Sequence, residues 1–314
     1  MGRPRGDFVK SRTGSRVLDM LDNWITQGLE RLSTDPGWKS HYDNSPQIDF
    51  GFVATRKPFV LAGRLTPSAD ASQRRFPFIA AASSVADNPL RAVARSPLCL
   101  AETWRLLDGM TSGALAAEDP REALDAMAAS TLATTADSAA ADTLYADFAF
   151  RTSLAQVEQA LRAGGHAVSL RRMVLSLGLL LTPVLTTPGA KPDKGLCLPL
   201  PPPGEMADSI AALWMDLIAP FLARGDFELG VFFQRRREKP TLIVVFDGAN
   251  AGALRAMFDS SGDSEFLIDI AAADWVEDYV ENDYAIKKLS SYLEMPPLSI
   301  RQATETFRET FLGG

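Results

Sequence analysis

The segment LTPSADASQRRFPF, Leu65 to Phe78, concentrates residues that could do chemistry. Ser68, Asp70, Arg74 and Arg75 stand close together between two apolar runs. Arginine forks bind oxyanions through two parallel hydrogen bonds, which would make this an anion site. A carboxylate beside a guanidinium could carry a shifted pKa, which would make it a catalytic cluster. Short polar side chains also fold back onto loop N–H groups as Asx and ST turns, and an arginine can clamp Asp70 or loop carbonyls. That third reading is a tied loop, either purely structural or a preformed patch for a protein partner. The residue types serve all three readings and do not choose between them.

Other constellations are weaker. The histidines are His41 and His166. His41 stands in the loop-like WKSHYDNS, and no Gly-x-Ser-x-Gly elbow accompanies either one. No phosphate-binding glycine loop follows a strand, so nucleotide binding by those routes is excluded. DSSGDSE (259–265) has the composition of a calcium loop without its alternating oxygen ligands. DWVEDYVEND (274–283) could pair carboxylates for acid–base work. It reads better as the solvated face of a helix, with Trp275 and Tyr279 four residues apart on the buried side. RRREKP (235–240) reads as a solvated hairpin tip that discourages edge association, with an acidic partner surface as the functional alternative. Cys99 and Cys197 are too few for a disulfide scaffold or a thiolate metal site. No cofactor and no metal are expected.

These residues need elements to hold them. SRVLDMLDNWITQGLERL repeats its apolar residues at helical spacing and predicts an amphipathic helix over about 16–33. IDFGFVA (48–54), PFVLAGR (58–64) and FPFIAAA (76–82) predict neighbouring, mostly antiparallel strands. Residues 89–165 turn alanine-rich and helical, with TTADSAAAD (134–142) as a connection of little bulk. SLAQVEQALRAGG carries a capping box, Ser153 with Gln156. MVLSLGLLLTPVL (173–185) is too short to span a bilayer and predicts a buried helix. After a small strand at LCLPL and a helix at MADSIAALWMDLIAPFLARG, FELGVFFQ (227–234) and TLIVVFDG (241–248) predict a hairpin. A helix near 250–259, a strand at FLIDI and two further helices close the chain.

Helices before, between and after strands predict an α/β three-layer sandwich. Its central sheet is mixed and largely antiparallel, with helices on both faces. The chain divides into residues 1–110, an alanine-rich helical layer or insertion at 111–185, and a second α/β half at 186–314 that completes the same domain. At 314 residues, 46% hydrophobic and 23% charged, the composition is that of a soluble globular protein. A net charge of −7 argues against nucleic-acid binding. MGRPRGDFVK has basic residues with no apolar run after them, so neither a signal peptide nor membrane insertion is expected, and the location is cytoplasmic.

Four motifs in order resemble the TagF family, also called ImpM, of bacterial type VI secretion accessory proteins. RGDFV at Arg5–Val9 resembles its opening signature, through Gly6, Asp7 and Phe8. LDNWITQGL follows, with Asp22, Trp24, Gly28 and Leu29 in place. Then come Gly37, Trp38, Tyr42, Pro46 and Phe50. Last is the opening segment itself, where Ser68, Asp70, Arg74, Phe76 and Pro77 match a Ser-x-Asp…Gly-Arg-x-Phe-Pro pattern. Leu21 stands where a tryptophan is usual, and Gln73 where a glycine is usual.

The resemblance implies a non-enzymatic cytoplasmic regulator that represses type VI secretion post-translationally by binding the forkhead-associated scaffold protein, with other secretion components at the inner membrane as further partners. It makes Gly6, Asp7, Phe8, Trp24, Ser68, Asp70, Arg74, Phe76 and Pro77 the candidate partner-binding residues. Some relatives carry a PP2C-like phosphatase, whose metal-binding aspartate motifs have no counterpart here. The alternatives are a structural accessory subunit of the machine and, from a different class, a small-molecule or phosphate-binding enzyme using the Asp70/Arg74 loop.

Overall fold

β1 (Ile48–Ala54) is buried along its whole length, because strands pair with it on both sides and helices cover both faces. The computed structural model describes residues 15–69, 72–117, 119–129, 138–167, 169–187, 189–235, 238–259, 265–295 and 297–313. Two helices precede β1, α1 (Ser15–Leu32) and α2 (Trp38–Asp43), so His41 lies on a short helix and not in a loop. β2 (Phe59–Thr66) and β3 (Phe78–Val85) follow. The middle of the chain holds α3 (Pro89–Ala116), α4 (Pro120–Ala129), α5 (Ser138–Arg151), α6 (Leu154–Ala163) and α7 (Leu170–Thr186). Then come β4 (Gly195–Pro199), α8 (Glu205–Leu222), β5 (Glu228–Gln234), β6 (Thr241–Val245), α9 (Ala251–Phe258) and β7 (Leu267–Asp269). Three helices end the chain where two were expected: α10 (Val276–Asn282), α11 (Tyr284–Leu293) and α12 (Ile300–Leu312).

Among the described residues the strands form one seven-stranded sheet in the order β3-β2-β1-β5-β6-β4-β7. All neighbours are antiparallel except β4 and β7, which run parallel. The architecture is an α/β sandwich. Period-two alternation sorts each strand between two cores. Phe50, Phe52, Leu61, Leu65, Phe232 and Ile243 face α1 and α9, with Trp24 and Leu254. Val53, Val60, Ala62, Val231, Phe233, Leu242 and Val244 face the opposite side, with Trp104 of α3 and the apolar surface of α7 and α8. Gly28 lets α1 sit directly on α9: a Cβ there would lie 2.4 Å from Leu254 Cδ2.

Local signals account for the helix starts. Asn88 accepts a hydrogen bond from the Arg91 N–H, and Pro89 opens α3 where its missing N–H costs nothing. The Ser153/Gln156 capping box is present at α6, and Ser299 with Gln302 makes a second at α12. The connection expected at 134–142 is helical from Ser138 onward; its earlier residues lie outside the described ones. Alanine is the best helix former, and distant partners hold this start in place. The Ser138 hydroxyl donates to Asp87 at 3.0 Å, and Asp142 accepts from Arg95 at 2.8 Å.

A ladder of charges crosses the sheet under α3. Asp49 and Arg64 are directly opposed on β1 and β2, and both are almost fully buried. Arg64 Nη2 lies 2.7 Å from Asp49 Oδ1, off the N–H direction, so this is a charge contact and not a hydrogen bond. Arg64 also donates to Gln47 Oε1 at 3.0 Å and to Asp108 of α3. From the other side, Arg235 Nε donates to Asp49 Oδ2 at 3.3 Å and Nη2 donates to Asp208 of α8 at 2.6 Å. Arg235 is therefore not part of a solvated tip. Its guanidinium lies over Phe233 at 4.3 Å and Trp104 at 5.7 Å. Burial pushes the Asp49 carboxyl above the usual range, against the pull of the two arginines. Removing one partner of such a buried pair strands the other charge, which costs about 3–5 kcal/mol. Arg64→Ala is expected to lower unfolding free energy by about that amount in chemical denaturation. A loss under about 1 kcal/mol would mean that the ladder is not coupled to folding.

Candidate functional site: the Ser68–Pro77 loop

The loop between β2 and β3 rests on α2. Tyr42 is buried and stacks on Phe258 of α9, with centroids 5.3 Å apart and planes at 19°. Its hydroxyl donates to the Ser68 carbonyl at 2.9 Å and accepts from the Ser68 N–H at 3.0 Å. Burial holds the phenol above its ordinary pKa, more than the Ser68 hydrogen bond lowers it. The Ser68 hydroxyl crosses the loop and donates to the Phe76 carbonyl at 2.7 Å. The Phe76 N–H donates to the Ser68 carbonyl at 3.2 Å. An isolated bridge between Ala69 and Arg75 closes the neck one step further out.

An arginine clamp forms between Arg75 and α2; Asp70, the partner expected from the sequence, lies outside the described residues. Arg75 Nε and Nη2 donate to the two oxygens of Asp43 at 2.8 and 2.6 Å, a bidentate pair between the loop and α2. The guanidinium lies 5.8 Å from the Trp38 ring. Arg75 holds the Asp43 carboxyl below its usual range. Asp43 was missed because it sits 32 residues from Arg75 in the chain and no spacing rule links them. Arg74, next to the clamp, is exposed.

The remaining candidates divide. Pro77 is buried, and Phe76 packs half-buried against the α1/α9 core. Trp24 is 2% exposed: it contacts the Phe50, Phe52 and Phe232 rings at 5.3–5.7 Å, and its indole N–H donates to the Asn250 carbonyl at 3.0 Å. Its contacts are those of a core residue. Gly6, Asp7, Phe8 and Asp70 lie outside the described residues, as do residues 260–264 of the DSSGDSE stretch.

Two cavities of about 220 and 230 Å³ lie away from the loop. One is lined by His166, Cys197, Lys239 and Asp269, the other by Arg95, Tyr145, Asp216 and Arg308. His166 is buried, with Nε2 2.9 Å from the Pro240 carbonyl. Cys99 and Cys197 are not joined in a disulfide. Among the described residues no helix is long and apolar enough to cross a membrane.

Residues 4–132 match the family described as the TagF N-terminal domain, type VI secretion system-associated. Neither the curated proteins nor the solved structures contain a match.

Gln73, at the position where a glycine is usual, has φ +61°. This is a left-handed backbone that a side chain opposes. That conformation costs a non-glycine residue about 1–2 kcal/mol, and glycine's greater freedom in the unfolded chain offsets about 0.4–1. Gln73→Gly is expected to raise stability by up to about 1 kcal/mol, and Gln73→Val to lower it by more than about 1, in parallel denaturation curves. Tyr42→Phe leaves the Ser68 N–H without its acceptor, while the Ser68 carbonyl keeps the Phe76 N–H, and is expected to cost about 1–3 kcal/mol.

Proposed function

We propose, from the premise that residues 4–132 are a TagF N-terminal domain of the type VI secretion-associated family, that the chain is a non-enzymatic, cytoplasmic repressor of secretion that binds the forkhead-associated scaffold protein. One observation carries the reading: the Ser68–Pro77 loop is braced from inside. Tyr42 holds its base, the Ser68 hydroxyl spans its neck, and Arg75 ties it to Asp43. Ser68 and Arg75 are thus engaged in holding shape. A loop ordered before binding loses little conformational freedom when a partner docks, which favours recognition. Arg74 is exposed beside the Arg75–Asp43 clamp, where a charge on the loop's surface contributes to a partner's approach.

Co-purification of the full chain with the forkhead-associated protein tests the proposal. A complex is expected, and deletion of the gene is expected to raise secretion of a tube protein. Arg74→Glu reverses an exposed charge, so it should weaken the complex at least tenfold while leaving the melting temperature within about 2 °C. Absence of a complex, together with unchanged secretion on deletion, would overturn the reading. Retention of the protein at fixed stoichiometry in the assembled apparatus would make it a structural subunit instead.

A further inference from the structure

α10 turns Val276 and Val280 toward the core of α7 and α11. Trp275 and Tyr279, expected on that buried side, are 37% and 49% exposed. The i, i+4 spacing does bring the rings together, edge to face with centroids 5.8 Å apart, but on the outer surface. Tyr284, the first residue of α11, is 83% exposed. Trp and Tyr are the residue types that anchor protein interfaces, since they bury a large area at low entropic cost.

The charges around the rings define what would fit. Residues 271–283 hold Asp274, Glu277, Asp278, Glu281 and Asp283, and no lysine, arginine or histidine. Three of these carboxylates are already engaged. Arg172 pairs with Asp274 and, at 2.7 Å, with Glu277; Arg171 pairs with Glu277; Asp283 caps α11 through the Ala285 and Ile286 N–H groups. Asp278 and Glu281 are exposed and have no ion-pair partner among the described residues. Asp278 lies three residues after Trp275 and next to Tyr279, on the outer side of the helix. Aromatic faces and carboxylates both present negative potential, so one kind of group satisfies both: a cation with an apolar stem.

We propose that the Trp275/Asp278/Tyr279 face of α10 binds an arginine- or lysine-bearing segment of a protein partner. The surface stands apart from the Ser68–Pro77 loop. The loop joins β2 to β3 at one end of the sheet, whereas α10 follows β7 at the other, on the order of 30 Å away at ordinary strand spacing. The two surfaces can be occupied together, and the inference does not require the loop's partner to be the scaffold protein.

The test is calorimetric titration of the full chain with a peptide of alternating arginine and serine, and with its glutamate counterpart. The arginine peptide is expected to bind and the glutamate peptide not to. The double variant Trp275→Ala/Tyr279→Ala should weaken binding about tenfold. Asp278→Asn/Glu281→Gln should weaken it severalfold and flatten its salt dependence. Arg74→Glu should leave peptide binding unchanged, which separates this surface from the loop. No binding, equal binding of both peptides, or wild-type affinity in the double variants would overturn the proposal. So would a melting temperature lowered by more than about 4 °C in Trp275→Ala/Tyr279→Ala, since the rings would then belong to the fold.

Discussion

The buried carboxylate of Asp49 is the constraint on which the rest of the structure depends. It sits on β1, between Arg64 from the neighbouring β2 and Arg235 from just beyond the neighbouring β5. A charge this far from water needs partners on every side, and the partners come from both halves of the chain. Arg64 reaches on to Asp108 in α3, and Arg235 to Asp208 in α8. The same residues therefore set strand register and dock the two helices. The family match ends at residue 132, yet β1 within it is closed by β5, which comes about a hundred residues later. The two regions share one sheet.

The sheet gives the Ser68–Pro77 loop its fixed base. β1, β2 and β3 pair without interruption, and the short α2 is pinned over their ends by the stacking of Tyr42 on Phe258. Tyr42, Ser68, Phe76, Arg75 and Asp43 then exchange hydrogen bonds between loop and helix and across the loop's neck. The strained Gln73 backbone is tolerated because the surrounding ties over-determine its conformation. The outcome is a tied neck, with Arg74 exposed beside it.

At the far end of the sheet the same physical rule acts in reverse. α10 is two turns long and has one narrow buried edge, filled by Val276 and Val280. Arg171 and Arg172 of α7 capture its inner carboxylates, which sets the helix's rotation. That rotation leaves the two rings on the outside. The valine edge and the ion pairs agree on one orientation, with Val276 and Val280 inward and the rings outward.

The sequence by itself determined what depends on neighbours within a few residues. The apolar period of α1, the short aromatic and β-branched runs of β1 to β3, the Ser153–Gln156 capping box and the apolar run at 173–185 within α7 were legible because each is a local rule. The ordered motifs ending at Pro77 were legible for the same reason. What only the tertiary structure decided are pairings between distant residues: Arg75 with Asp43, Arg235 with Asp49, Ser138 with Asp87, and Arg172 with Glu277. These turned an expected solvated tip into a buried strut, an expected connection into a helix start and an expected buried aromatic pair into a surface. A charged side chain carries no mark in the sequence of the partner that will take it out of water; long-range strand pairing and helix docking bring that partner to it.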